Sequence, residues 1–180
     1  VMNKSVSNIT KAFENIDPEY IRSISQCILK SKRKYIVGIR GATSCANYFS
    51  RKLALIQPNV TCCDRAESVI LEQIIDISKN DCLLMYTFHR YSEINYTILK
   101  LARERGAKII LITDSSTSPL CSDADFVLAL PIEGVGITIS YIVPMCITEA
   151  LLLLISKGAK PADKKRMELL DKVVADSKLY

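Results

Sequence analysis

A chain of 180 residues with 49% apolar residues has the size and composition of one folded domain with a sizeable core, and is too apolar for disorder. One His and no Trp restrict histidine-based acid–base or metal chemistry to a single residue. The net charge of +5 gathers largely in Lys30/Lys32/Arg33/Lys34 and Lys160/Lys164/Lys165/Arg166, runs with no aromatic ladder beside them, which read as solvated faces and argue against direct DNA binding.

Asp17-Pro18 is a helix start, with Asp as N-cap and Pro at the first helical position. Tyr20, Ile21, Ile24 and Ile28 follow at helical spacing. Residues 1–16 before it read as a flexible arm. A strand is expected over 34–39, and Gly41-Ala42-Thr43-Ser44 opens a second helix whose inner face is Phe49, Leu53 and Ile56. Pro58 stops it. A short strand, 60–63, and a helix, 67–77, come next. The apolar run 82–87 then ends in polar residues before a helix over 93–105, closed by Gly106. Strands over 108–113 and 126–130 and helices near 137–156 and 160–178 complete the chain.

Strict strand–helix alternation, with connections too long for hairpins, predicts an α/β domain. We expect a three-layer α-β-α, flavodoxin-like arrangement of five parallel strands with right-handed crossovers and an added N-terminal helix, over 17–180. The stretch 137–155 is the one membrane candidate, but Pro144 and Glu149 interrupt it, so a buried or interface helix is the better reading. The first residues lack an apolar h-region, which excludes a signal peptide. Val1 reads as a cut inside a longer protein. Seven cysteines form no C-x-x-C pair and are odd in number, which points to a reducing, cytoplasmic setting without structural zinc.

Ligands of open parallel sheets bind at the carboxyl ends of the strands, beside helix N-termini. Two segments fall there. Gly38-Ile39-Arg40-Gly41-Ala42-Thr43-Ser44 is a glycine-bearing turn, though neither a Walker loop nor a dinucleotide fingerprint. Thr87-Phe88-His89-Arg90-Tyr91-Ser92 is the second. In a flavodoxin-like strand order the two face one crevice. The candidate ligand-binding residues are Arg40, Gly41, Ala42, Thr43, Ser44, Thr87, His89, Arg90, Tyr91, Ser92 and, from the far side, Glu133. Arg40 and Arg90 would give charge-assisted hydrogen bonds to an anion, with hydroxyl and amide donors around them. Blander roles are open: Arg90 pairing with Asp114 or Glu93, His89 as a solvated loop residue, Asp114 as a turn cap, and Glu149 as a paired interface residue or a base.

In order and spacing these residues resemble the SIS (sugar isomerase) domain, and more narrowly the ligand-binding half of RpiR-type transcriptional regulators. The likeness runs over about 9–158. It includes the helix after Asp17, then Ala46 and Lys52-Leu53, and the run A-x-E-x-G-A-x-I-I-x-I-T-D-S from Ala102 to Ser115. Ser118-Pro119-Leu120, Ala124-Asp125, Ser140 and Pro144 also fit. Most SIS domains carry S-x-S-G-x-T in the third-strand turn, where this chain has His89 and Arg90 at the middle serine and the glycine. In the first turn Arg40 stands at the usual glycine and Ala42 at the usual phosphate-binding serine, so that Thr43 or Ser44 would substitute. An Arg in the first turn with Arg-Tyr-Ser in the third looks like a branch of RpiR regulators.

The resemblance implies a non-catalytic effector domain that binds a small anionic ligand, a sugar phosphate, without cofactor or metal. It implies a homodimer or tetramer built through the 137–155 helix, no membrane, and DNA contact solely through an N-terminal helix-turn-helix domain not contained here, with 1–16 the remnant of the linker. The alternatives are an aldose–ketose phosphate isomerase, with Glu149, Glu133 or His89 as base, and a purely structural dimerisation module.

Overall fold

The structure is a computed structural model that describes residues 2–65, 67–136 and 138–177. Five strands form one parallel sheet: β1 (Lys34–Gly38), β2 (Val60–Cys63), β3 (Cys82–Tyr86), β4 (Lys108–Thr113) and β5 (Phe126–Ala129). Their order is β2-β1-β3-β4-β5. The helices are α1 (Met2–Asn15), α2 (Pro18–Lys30), α3 (Thr43–Ile56), α4 (Glu67–Ile74), α5 (Glu93–Glu104), α6 (Ile142–Lys157) and α7 (Pro161–Asp176).

The central strands are apolar throughout because both faces of the sheet are covered. Side chains alternate between two cores. Ile36, Leu84, Tyr86, Ile110 and Ile112 face α2, α3 and α6. Tyr35, Val37, Leu83, Met85, Ile109 and Leu111 face α4 and α5. Burial raises the Cys45 thiol to about 11 and those of Cys63 and Cys82 to about 12, so these three behave as small apolar fillers.

Local chemistry sets the element ends. The Asp17 carboxylate accepts from Glu19 N at 2.9 Å and caps α2, with Pro18 first in the helix. Gly106 closes α5 at φ +73°, with Ala107 N donating to Ala102 O and Gly106 N to Arg103 O, a Schellman arrangement. At β5, Val127 N donates to Tyr20 Oη at 2.8 Å, and the Tyr20 and Phe126 rings meet at 5.8 Å.

The sequence reading needs correction at two places. Residues 2–15, expected as a flexible arm, form a helix against α6, with Asn8 and Ala12 buried. Met2, Val6, Ile9, Phe13 and Ile16 recur at helical spacing, and α6 supplies a surface for part of that stripe. The long apolar helix expected from 137 begins at Ile142; Ile137 lies outside the described residues, as does Lys178, the expected end of α7. Tyr141 takes the N-cap position of α6, and Val143, Ile147, Thr148, Leu151 and Ile155 are buried in the core. Among the described residues no single helix is long and apolar enough to cross a membrane. Glu149 is exposed and accepts from the Tyr48 hydroxyl of α3.

Candidate functional site

β1 and β3 are neighbours, with Gly38 opposite Tyr86, so the chain leaves both strands side by side. The two exits diverge: α3 covers one face of the sheet and α5 the other. That divergence opens a crevice of about 260 Å³, just under the usual small-molecule range. Arg40, Gly41 and Ala42 line one side, and Thr87, His89, Arg90 and Ser92 the other. Among the described residues, neither N-cap residue, Ala42 of α3 or Ser92 of α5, caps its helix with a side chain, in contrast to Asp17 of α2.

Arg40 heads a short 3-10 turn, Arg40–Ala42, and holds φ +57°. This is the left-handed region, which favours glycine over a side chain such as that of Arg40. Side chains of Arg40 and Arg90 are exposed and make no ion pair among the described residues. Holding a non-glycine residue there costs about 1–2 kcal/mol. Arg40→Gly should therefore stabilise the fold by up to about 1 kcal/mol, after the larger unfolded-chain entropy of glycine is offset. Urea unfolding would check this; a destabilised variant would show that the Arg40 side chain supports the fold. Gly41 lies close under Tyr141: a Cβ there would lie 2.2 Å from Tyr141 Oη, so the tyrosine would have to shift.

Thr43, Ser44, Tyr91 and Glu133 are not on the crevice wall. Thr43 Oγ1 donates to Gly38 O at 3.1 Å and Ser44 Oγ to Gly41 O at 2.9 Å, so both hydroxyls turn back to their own backbone. The Tyr91 hydroxyl donates to Asp114 Oδ1 at 2.9 Å, and burial raises its phenol. Asp114 also accepts from His89 N and Thr113 Oγ1, so it shapes the third turn and does not pair with Arg90. Glu133 pairs with Lys4 Nζ at 2.6 Å, and the hydrogen bond from Lys4 holds its carboxyl below the usual range. The Glu133 carbonyl accepts from Asn8 Nδ2 at 2.9 Å, so this residue fastens α1.

The sequence reading missed Phe88, Asn95, Ile139 and Tyr141, which also line the crevice. Phe88 and Tyr141 meet edge to face at 5.6 Å. Asn95 had a legible signal: with Ile98, Leu99 and Ala102 it falls on the buried stripe of α5, where a polar residue calls for a reason. A larger cavity, about 720 Å³, opens at the amino ends of the strands, near Lys30, Lys32, Lys79 and Lys108. Lys30 lies in the last turn of α2, where a cation complements the helix dipole.

A parallel sheet ordered 2-1-3-4-5, with a crevice where its connections diverge, defines an open α/β domain of the kind that binds ligands at its switch point. The chain belongs to the SIS domain family, whose model matches residues 27–154. The sugar isomerase domain of an RpiR transcription factor from Sphaerobacter thermophilus is 22% identical, with a TM-score of 0.89 and 96% of each chain covered. The Vibrio vulnificus NanR protein, solved in complex with ManNAc-6P, is 16% identical, with a TM-score of 0.82; the match covers 99% of this chain and 69% of that one. A phosphoheptose isomerase from Francisella tularensis is 18% identical, with a TM-score of 0.71 over 87% of this chain and 94% of that one. At these identities the likeness is one of fold, and it does not single out the Arg-Tyr-Ser branch. A search of the curated proteins finds no match.

Proposed function

We propose that this domain is the effector-binding part of a bacterial, cytoplasmic transcriptional regulator, and that it binds a small sugar phosphate between its first and third strand–helix turns. One observation carries the reading. Two long helices begin at one small crevice without side-chain caps, and two arginines that make no ion pair among the described residues stand at its rim. Helix N-termini and guanidinium groups favour the same ligand, a compact anion. The binding set is Arg40, Gly41, Ala42, Thr87, His89, Arg90 and Ser92. The solved NanR complex with ManNAc-6P supports a phosphosugar in a domain of this fold.

Isomerisation needs a base placed to move a proton between adjacent carbons. No carboxylate lines the crevice among the described residues, and Glu133 and Glu149 are engaged elsewhere. His89 is the remaining candidate. A binding role fits this wall better than an aldose–ketose isomerase does. Solvent deuterium entering a sugar phosphate in the presence of the protein would reverse that preference.

A thermal-shift panel tests the proposal. Among pentose and hexose phosphates, at least one should raise the melting temperature by several degrees at concentrations well above its Kd. The same sugar without its phosphate should not. A flat response across all phosphorylated sugars would favour a purely structural dimerisation module instead.

A further inference from the structure

Asn95 stands in the first turn of α5, is 4% exposed, and lines the crevice. Its Nδ2 donates to Thr87 Oγ1 at 2.7 Å, while Oδ1 is buried and has no hydrogen-bond partner among the described residues. Buried polar atoms in folded proteins are nearly always paired, so an orphaned amide oxygen needs an explanation. A structural duty does not provide one. Bracing Thr87 uses Nδ2 alone, and the α5 backbone already fixes the residue, with Asn95 N donating to Ser92 O at 2.9 Å.

The surrounding chemistry supplies the reason. Arg40, Arg90 and the helix amides offer hydrogen-bond donors, which suit the oxygens of an anion but cannot accept a proton from a ligand hydroxyl. Asn95 offers an acceptor beside them. Turning the amide by half a rotation exchanges its oxygen and nitrogen and still leaves one atom unpaired. A hydroxyl, which both donates and accepts, satisfies either arrangement.

We infer that Asn95 is a specificity-determining residue of this crevice: it reads a hydroxyl on the ligand's carbon skeleton while the arginines hold the anion. The inference rests on the reading of the crevice as a sugar-phosphate site. It separates two functions within one wall, one part for charge and one for the polyol.

The test is a calorimetric titration of the wild-type domain and Asn95→Leu with inorganic phosphate, arabinose 5-phosphate and glucose 6-phosphate. Leucine keeps the branching of the side chain and removes both polar atoms. The wild type should prefer at least one sugar phosphate over inorganic phosphate by tenfold or more. In Asn95→Leu that preference should shrink at least fivefold, with the affinity for inorganic phosphate changed less than twofold. The melting temperature should fall only modestly, since the lost bond from Nδ2 to Thr87 Oγ1 is partly offset by removal of the unpaired oxygen. Parallel weakening of both ligand types would mark a structural residue and overturn the inference, as would an undiminished preference. If no probe binds the wild type, the reading of the crevice as an anion site falls, and the inference with it. Sugar phosphates binding with a preference that survives the substitution would sink the inference alone. If Asn95→Leu does not fold, Asn95→Ala faces the same outcomes.

Discussion

Arg90→Ala is expected to weaken sugar-phosphate binding at least tenfold, read as Kd by isothermal titration calorimetry. A hydrogen bond to a charged group contributes about 1.5–3 kcal/mol, and each 1.4 kcal/mol is about a factor of ten in affinity. Arg90 is exposed, has no ion pair among the described residues, and stands on the crevice wall. Its removal therefore deletes a contact to the ligand without orphaning a protein carboxylate. Asp114, which might have been its partner, is held by His89 N, Tyr91 Oη and Thr113 Oγ1. Folding stability should barely change, which separates this effect from unfolding. Arg40→Ala should act in the same direction, and binding should weaken as salt screens the exposed guanidinium groups. An Arg90→Ala protein that binds within twofold of the wild type would place the anion elsewhere.

Asp81→Ala should destabilise the fold by about 3 kcal/mol or more, with the crevice untouched. The side chain of Asp81 is fully buried at the start of β3, at the end of the sheet opposite the crevice. Its Oδ2 accepts from Arg33 Nη2, Ser78 N and Ser78 Oγ, each at 2.8 Å, and Oδ1 accepts from Arg33 N at 3.1 Å. Alanine would leave two backbone amides, Arg33 N and Ser78 N, without their acceptor and the partly buried Arg33 guanidinium without its carboxylate. Urea unfolding at neutral pH measures the loss; a change under about 1 kcal/mol would show that water replaces the carboxylate.

The same clamp makes a pH prediction. Burial alone would raise the Asp81 carboxyl, but hydrogen bonds from Arg33 and Ser78 outweigh it and hold the group below its usual value. A depressed folded value contributes stability that is fully present above the unfolded carboxyl value, about pH 4, and is lost as pH falls through the folded one. The wild type should therefore lose stability on acidification below about pH 4. Asp81→Asn should be weaker at neutral pH and less sensitive over that acid range.

The sheet was legible because its central strands are apolar on both faces and are separated by helix-length spacers. Strand ends followed from polar residues such as Thr87, and α5 from Gly106. The first helix was overlooked although Val6, Ile9, Phe13 and Ile16 carry its period. An isolated helix of 14 residues is marginal, and its docking surface lies on α6, far away in sequence. The site was half legible. Strand order brings Arg40 and Arg90 to one place, and strand ends announce that order. The direction of a hydroxyl is another matter: Thr43 and Ser44 turn back to their own backbone, and nothing in their spacing says so. Tyr141 reaches Gly41 through the packing of α6, a contact that local sequence does not encode.

Tyr20 bears on how the domain behaves at high concentration. β5 is an edge strand, and edges of sheets present backbone groups that another chain can copy. The Tyr20 hydroxyl already occupies Val127 N, and its ring covers Phe126 beside it. The strand is also four residues long, too short a template for a stable sixth strand. An edge finished in this way resists growing by strand addition, and so resists the aggregation that open edges invite. Copies of this domain that associate would do so away from the β5 edge.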